Sequence, residues 1–328
     1  MNSKKLIIVK KSLTDVDAVI KAFTASIDAK DSTIKTYGES ILRFFEWLDK
    51  TGKDLNELGT PDIVEYKKSL INSDLSILTV KSYMVAVHRF YQWAESEGLY
   101  RDIARSVKSP RSTQGMTSEE FIKMDLSEDE SIALLKYFHS QSLRNYAIVN
   151  MMLRLGLRTI EVSRLNIASI KTVNGQRRLQ IWRKGMDKPN PKVTVALPDP
   201  VWLPIEKYLN TRNNAKPDSP LFITEGSGSH GKSRLHSGER MSTRLIQMII
   251  KKGLTEIGLG AHEYSAHSLR HTCAVMMLVK GATLADIQRQ LGHSSPNTTM
   301  IYLKSYERRI METASPAHVL DQAFDITL

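Results

Sequence analysis

The sequence predicts a mainly α-helical protein of two domains, with a small antiparallel β-sheet in the second domain. The chain has 328 residues, which is too long for one ordinary domain and sufficient for two. Apolar residues recur at helical spacing through most of the chain. Between residues 167 and 197 they alternate instead, as in strands. The hydrophobic content of 41% is that of a folded protein.

The first domain is predicted as a helical bundle over residues 13–105, after a basic N-terminal arm at residues 1–12. One helix begins at Ser32–Thr33, and another begins at Thr60 with Pro61 at its first position. A third runs over residues 78–97 and ends at Gly98. We expect the aromatic residues of these helices to form the core rather than to stack on bases. The lysines between them are equally compatible with phosphate contacts and with a solvated face.

A linker is predicted over residues 106–125, where turn formers and basic residues replace the helical pattern. The second domain is predicted over residues 126–313. Ser127 and Glu130 form a capping box at its first helix. Gly156 ends a later helix, and Thr159 is predicted to cap the short helix that follows it.

The sheet is predicted from three alternating segments, of which the first two are joined by the hairpin signal Asn174–Gly175. The second turn is basic and covers residues 183–188. The strands are predicted at 169–173, 179–182 and 193–197, and further helices at 200–210, 241–257, 268–280 and 283–291.

The charge indicates a polyanionic partner. The net charge is +11, with 17 basic and 15 acidic residues up to Pro110 and 29 and 20 after it. The second part, at a net +9, should therefore carry the stronger anion field. The single cysteine excludes a disulfide framework within the chain, and the absence of a long apolar run predicts a soluble cytoplasmic protein without a membrane partner.

The segment from His267 to Tyr302 carries the chemistry. It places Arg270 and two further histidines, His271 and His293, ahead of one tyrosine, which suggests phosphoryl transfer through a covalent tyrosine link. Guanidinium groups suit the charge that develops on the non-bridging phosphate oxygens. A phenol needs help to ionise at neutral pH, and the departing oxygen needs a proton. Histidines and a lysine can supply both without a metal or another cofactor.

A zinc site is the alternative for these histidines. His267 and His271 have the i, i+4 spacing of a zinc helix, but Ser268 stands where the general base would be. His230 and His236 lie in a Gly/Ser-rich loop at residues 225–240 without partnering cysteines or carboxylates. We therefore predict no bound metal.

Four motifs together resemble the tyrosine recombinase (phage integrase) family. They are GLRTIEVSRL at Gly156–Leu165, the lysine after the second strand, HSLRHT and LGHSSPNTTMIY. The first domain resembles the family's SAM-like core-binding domain through STIKTY, FFEWL and FYQWAESEGL. The resemblance implies a C-shaped clamp around DNA, built from the helical core-binding domain and a mixed α/β catalytic domain.

The resemblance also implies a catalytic set. Arg158 and Arg270 would clamp the scissile phosphate, and His293 would hydrogen-bond to it. Glu161 matches a position that supports the site. The full set is Arg158, Lys184, His267, Arg270, His293 and Tyr302.

Lys184 would be the general acid toward the leaving 5′ hydroxyl, with Lys188 and Lys192 as the competitors for that role. His267 would assist proton transfer. Tyr302 would be the nucleophile that forms a 3′-phosphotyrosine bond, and Tyr306 is the competing tyrosine one turn away.

By the same resemblance, four protomers would act on two DNA duplexes through a Holliday junction, with no need for ATP. A dimer would bind one inverted-repeat core site, and residues 314–328 would dock on a neighbouring subunit. Few residues precede the first helix, which favours an Xer-like or transposon-encoded member for integration, excision or resolution of a DNA element. The rivals are a type IB topoisomerase-like or hairpin-forming enzyme, which uses the same chemistry without partner exchange, and a DNA-binding regulator without the chemistry.

Overall fold

The computed structural model describes residues 13–110, 125–183, 193–213, 215–225, 238–260, 263–292, 302–303 and 306–307. The chain forms two compact units, residues 1–117 and 118–328. Several predicted features lie outside the described residues: the arm at 1–12, most of the linker, Lys184, the loop at 226–237, His293 and the tail at 314–328.

The first unit contains four described α-helices around an aromatic core. Phe44 and Phe90 are fully buried, and the ring of Tyr66 meets that of Phe44 edge-on with centroids 5.0 Å apart. The prediction that these aromatic residues form the core is confirmed. The helices are α1 (Leu13–Ala25), α2 (Asp31–Thr51), α3 (Thr60–Ile71) and α4 (Ile77–Ser96).

The helix boundaries follow the capping chemistry of the sequence. Ser76 accepts a hydrogen bond from the backbone N–H of Thr79 and so caps α4. The helix α2 begins at Asp31, one residue before the predicted start, because the backbone N–H groups of Thr33 and Ile34 donate to the carbonyl oxygen of Lys30; the Lys30 side chain makes no capping bond. The predicted start of α3 at Thr60–Pro61 is confirmed.

The second unit packs seven described α-helices and one sheet around a larger apolar core. Ser127 and Glu130 form the predicted capping box of the first of these helices. The helices are α5 (Glu128–Gln141), α6 (Leu143–Leu155), α7 (Thr159–Ser163), α8 (Asp199–Leu209), α9 (Thr243–Glu256), α10 (Ala266–Val279) and α11 (Leu284–Leu291).

The sheet is antiparallel in the order β1 (Ile170–Val173), β2 (Gln176–Ile181) and β3 (Val193–Ala196). Asn174 and Gly175 both have positive φ, at 51° and 74°, as a tight hairpin turn requires. Leu179 faces Ile170 on one side and Val195 on the other, and its side chain is fully buried. The predicted fold class, mainly α with a small antiparallel sheet, is confirmed.

Among the local predictions that were wrong are two at the starts of helices. Thr159 does not cap α7: the N-cap is Arg158, whose backbone N–H donates to the Glu161 carboxylate at 2.9 Å. The helix α10 begins at Ala266 rather than at residue 268, because Ser265 accepts from the backbone N–H of His267. Among the described helices, none is long and apolar enough to cross a membrane.

Candidate active site

A buried carboxylate lies at the centre of the candidate site. Glu161 is 0% exposed and sits in the first turn of α7, where the helix dipole favours a negative charge. Its Oε1 atom accepts from the Arg158 guanidinium at 3.0 Å. Its Oε2 atom lies 3.4 Å from Nη1 of Arg183 and 4.0 Å from Nη1 of Arg270. One buried carboxylate therefore pairs with three arginines. Its negative charge offsets part of the electrostatic repulsion among them.

Arg158 is the arginine of this cluster that reaches solvent. It follows Gly156, which ends α6 in the left-handed conformation at φ 64°. A Cβ atom on Gly156 would overlap Leu291, so glycine is required at this crossing for both conformation and space. The Arg158 side chain keeps 23% exposure while it contacts Glu161. Its guanidinium can therefore meet an anion from outside.

Arg270 is buried, at 1% exposure, on α10. It donates to the carbonyl oxygens of Gly156 at 2.6 Å and of Leu291 at 2.8 Å, at the ends of α6 and α11. These carbonyls carry the negative ends of helix dipoles, so they suit a cation. Burial, together with the charge of nearby Arg158, lowers the pKa of Arg270 to about 10, against the opposing effect of Glu161. Arg270 remains charged at neutral pH.

Tyr302 lies against this cluster. Its side chain is 4% exposed, and it shares a hydrogen bond with Arg270. Burial raises the pKa of the Tyr302 phenol, while the charges of Arg270 and Arg158 act to lower it. The ring of His271 meets the Tyr302 ring edge-on, with centroids 4.8 Å apart. The predicted nucleophile and one predicted phosphate ligand are thus already in contact.

The two histidines of HSLRHT differ in their surroundings. His267 is exposed in the first turn of α10, where a proton can exchange with solvent or substrate. His271 is 3% exposed, and its Nδ1 atom lies 3.9 Å from the buried Asp125 carboxylate. His271 therefore belongs to the packing around Tyr302, whereas His267 is open to the surface.

The structure brings Arg158, Arg270 and Tyr302 together and places His267 at the start of the same helix as Arg270. Lys184 and His293 lie outside the described residues, as do the competing lysines Lys188 and Lys192. Their assignments stay predictions. Within the described ranges, no group of three or more His, Cys, Asp or Glu side chains could hold a metal ion.

Arg183 is a member of this cluster that sequence reasoning missed. It was assigned only to the basic turn, yet it is 3% exposed. The signal was the alternation of β2: Leu179 and Ile181 are buried, and the next position with the same phase is Arg183. An arginine on the buried face of a strand needs a buried acidic partner, and Glu161 provides it.

Two family models match the chain. The model described as the phage integrase family matches residues 125–309, which is more than half of the chain. The chain belongs to the phage integrase family. A second model, described as the N-terminal SAM-like domain of phage integrases, matches residues 20–98 of this integrase. The recognition made from the motifs is therefore confirmed.

The related proteins are tyrosine recombinases. The integrase is 28% identical to the tyrosine recombinase XerC of Caldanaerobacter subterraneus, over 87% of this chain and 81% of the relative. It is 29% identical to the tyrosine recombinase XerA of Pyrococcus furiosus, over 60% of this chain and 62% of the relative. The enzyme class predicted from the sequence, a tyrosine recombinase, is confirmed.

Solved structures share the fold. The recombinase XerH bound to a palindromic difH substrate has a TM-score of 0.69 at 20% identity, over 92% of this chain and 85% of XerH. A lambda integrase dimer bound to a COC′ core site has a TM-score of 0.65 at 16% identity, over 89% of this chain and 77% of the lambda integrase chain. These likenesses extend across both units of the integrase.

Proposed function

We propose that this integrase is a site-specific DNA recombinase that cleaves DNA by attack of Tyr302 on a phosphodiester and rejoins it in a new pairing. The observation that carries the proposal is the contact of Tyr302 with Arg270 beside Arg158, with both arginines paired to the buried carboxylate of Glu161. A phenol next to paired guanidinium groups has the parts that in-line displacement at phosphorus needs.

The arginines stabilise the transition state. Attack at phosphorus concentrates negative charge on the two non-bridging oxygens, and fixed guanidinium groups oppose it without reorganising. Arg158 offers a partly exposed guanidinium, and Arg270 is held rigidly by two backbone carbonyls. We assign both to the scissile phosphate, together with His293.

The proton balance assigns the remaining roles. The Tyr302 phenol loses its proton as its oxygen bonds to phosphorus, and the 5′ oxygen takes up a proton as its bond to phosphorus breaks. We assign Lys184 as the donor to the 5′ oxygen and His267, exposed at the start of α10, as the group that assists proton transfer. The 3′-phosphotyrosine keeps the energy of the diester, so a 5′ hydroxyl from another strand can reverse the step without ATP.

Arg270 cannot meet a phosphate in the arrangement described. It is 1% exposed and hydrogen-bonded to Tyr302, which is itself buried. DNA binding must therefore move groups around Arg270 before the phosphate can enter between the guanidinium and the phenol. The raised pKa of Tyr302 keeps the phenol protonated until then.

The assembly proposed is a dimer on one inverted-repeat core site and a tetramer on two duplexes, joined by a Holliday junction, in the cytoplasm. Its support is the net charge of +11 and the likeness to XerH bound to palindromic difH and to the lambda integrase dimer on its core site. Residues 314–328 are assigned to docking on the neighbouring subunit, and the DNA reaction to integration, excision or resolution of a mobile element.

The experiment compares Tyr302→Phe with Tyr306→Phe on a duplex carrying the target site. We expect Tyr302→Phe to bind DNA and form no covalent adduct, while Tyr306→Phe still forms one. Adducts that survive in Tyr302→Phe would contradict the assignment. With two sites in one reaction, the wild type should yield recombinant products, and supercoil relaxation alone would favour a topoisomerase-like activity.

A further inference from the structure

The buried arginine at the end of the sheet, Arg183, connects two helices of the second unit. Its Nη1 atom lies 3.4 Å from the Oε2 atom of Glu161, in the first turn of α7. Its Nη2 atom donates to the carbonyl oxygen of Gln290, in the last turn of α11. One side chain therefore ties the start of α7 to the end of α11.

Both partners of Arg183 also adjoin Arg270. The Oε2 atom of Glu161 lies 4.0 Å from Nη1 of Arg270. The carbonyl that follows Gln290 in α11 belongs to Leu291, and it accepts from Nη2 of Arg270 at 2.8 Å. The position of Arg270 thus depends on the Glu161 carboxylate and on the end of α11, and Arg183 is bound to both.

Glu161 extends the same constraint to Arg158. Its Oε1 atom accepts from Arg158 at 3.0 Å, while its Oε2 atom faces Arg183. The last torsion of a glutamate side chain has no sharp preference of its own, so outside contacts decide the plane of the carboxylate. Contacts at both oxygens fix that plane, and with it the direction in which the Arg158 guanidinium is held.

The fit around Arg183 is tight. Gly292 ends α11 in the left-handed conformation, with φ 66°. A Cβ atom on Gly292 would lie 2.6 Å from Nε of Arg183 and 3.1 Å from its Cδ atom. Only glycine allows α11 to end against this guanidinium. Arg183 is thus enclosed by backbone as well as by its polar contacts, which limits its side chain to one position.

Burial of this arginine is unfavourable by itself. Transfer out of water lowers the pKa of Arg183, and the charge of Arg158 also lowers it, while Glu161 opposes both. A well-packed apolar residue often stabilises a core as well as a buried ion pair does. Stability alone therefore gives little reason for an arginine here, and its directional contacts point to a role in orientation.

Contact with DNA does not explain the arginine either. Arg183 is 3% exposed, and two of its nitrogens already face Glu161 and Gln290. The Arg158 side chain, by contrast, is 23% exposed. A phosphate can therefore approach Arg158 directly, whereas Arg183 acts through the groups that it holds.

We infer that Arg183 is a positioning residue for phosphate binding: by holding Glu161 and the end of α11 together, it sets the guanidinium groups of Arg158 and Arg270 relative to each other. The inference rests on the proposed function, in which these two arginines bind the scissile phosphate, and deepens it. Two non-bridging oxygens have a fixed separation, so two guanidinium groups meet both only when their own spacing is fixed.

The test measures single-turnover strand cleavage by the full chain on three substrates: the ordinary diester and the two methylphosphonate isomers at the cleaved position. Each isomer replaces one non-bridging oxygen by a methyl group, so it removes the atom that one guanidinium would contact. Arg270→Ala identifies the isomer that lacks the Arg270 contact, because its loss of rate is smallest there. A residue that acts through Arg270 must also lose less on that isomer, whereas a loss of folded protein is equal on all three substrates.

The variants are Arg183→Met, which removes the charge at similar length, and Arg183→Lys, which keeps the charge without the two-pronged geometry. We expect Arg183→Met to slow cleavage of the diester about 100-fold, the scale of a misplaced reacting group. On the isomer identified by Arg270→Ala, the loss should fall to about 10-fold, because one of the two oxygen contacts is already absent there. Arg183→Lys should show the same pattern with smaller losses, and it carries the comparison if Arg183→Met does not fold.

Arg144→Met is the matched control, because Arg144 is also a buried arginine of the second unit. It is 8% exposed and donates to the carbonyl oxygen of Ile223 at 2.9 Å, at the opposite end of α6 from Gly156. Arg144→Met should lower stability and cleave all three substrates at wild-type rates below its melting temperature.

Two results would overturn the inference. One is a normal rate on the diester for a folded Arg183→Met or Arg183→Lys. The other is an equal loss on all three substrates, as an unfolded chain would give. The proposed function fails separately, if the wild type forms no adduct at Tyr302 on the diester.

Discussion

The two units of the integrase differ in the charged side chains that they bury. The core of the first unit is apolar and aromatic, with Phe44 and Phe90 at its centre. The second unit buries Glu161, Arg183 and Arg270 next to its apolar core. Among the described residues of the first unit, no arginine or lysine is buried. Since buried charges are unfavourable unless they are paired, the difference indicates that the second unit is shaped by its chemistry and the first by packing.

The largest effect should come from removing the carboxylate that balances the arginines. Glu161→Ala leaves Arg183 and Arg270 buried without their acidic partner, so we expect a loss of about 3–5 kcal/mol in the free energy of opening the second unit. Hydrogen exchange of the α10 amides measures that free energy separately from the first unit.

The matched control is Glu65→Ala in the first unit. Glu65 pairs with Lys53 at 3.2 Å but is 56% exposed, so its removal should cost far less than the removal of Glu161. Hydrogen exchange of the α10 amides reports on Glu161→Ala, and that of the α4 amides reports on Glu65→Ala. Equal losses of opening free energy for the two variants would contradict the contrast between the units.

Among variants that keep the Tyr302 nucleophile and still bind DNA, Arg270→Ala should produce the largest loss of chemistry. Loss of one preorganised partner of the phosphate should slow single-turnover cleavage about 10²–10³-fold. Arg289→Ala is the control, since Arg289 is exposed on α11 and pairs only with Asp286 among its described contacts. A near-normal rate for a folded Arg270→Ala would refute the assignment.

The first unit should lose stability at alkaline pH, because its apolar core buries a tyrosine in the protonated form. Burial raises the pKa of Tyr66, which therefore stays protonated in the folded chain while it ionises near pH 10 in the unfolded chain. Its contribution to stability is complete below about pH 10 and is lost as the pH rises toward the folded pKa, by up to about 1.4 kcal/mol per pH unit.

Tyr66→Phe tests this directly, because the Tyr66 hydroxyl has no hydrogen-bond partner among the described residues. Urea unfolding should show the variant nearly as stable as the wild type at neutral pH and less sensitive to alkali above about pH 10. An unchanged alkaline slope would mean that Tyr66 is not ionised on unfolding in this range.

The smallest effect concerns the start of the second unit. Ser127→Ala removes the acceptor for the Glu130 backbone N–H, at 3.0 Å, and should lower stability by about 1 kcal/mol. Cleavage should be unchanged below the melting temperature. Ser131→Ala, at a half-buried serine one turn later, is the control, and an equal loss there would argue against the cap.

Local structure could be predicted where one residue type performs one task. Ser127 and Gly156 marked helix ends, and Asn174–Gly175 marked the hairpin, because caps and tight turns need particular side chains or backbone angles. Thr159 was misassigned because Glu161, two residues later, accepts the hydrogen bond from the backbone N–H of the actual N-cap, Arg158.

The site could be predicted only in part. Arg158 and Arg270 are 112 positions apart, and no periodicity brings them together, so their pairing came from the family resemblance alone. Arg183 was missed because a basic residue beside a turn is usually solvated, and its burial depends on Glu161 and on the end of α11, which fold from other parts of the sequence.

The central claim is tested most directly by mapping the covalent adduct. A duplex nicked so that the cleaved strand diffuses away traps the phosphotyrosine, and mass spectrometry of the digested protein locates the nucleotide. We expect the label on Tyr302, in a wild-type chain without added metal or ATP. A label on Tyr306 or on any other residue, or no label on a correctly bound site, would contradict it.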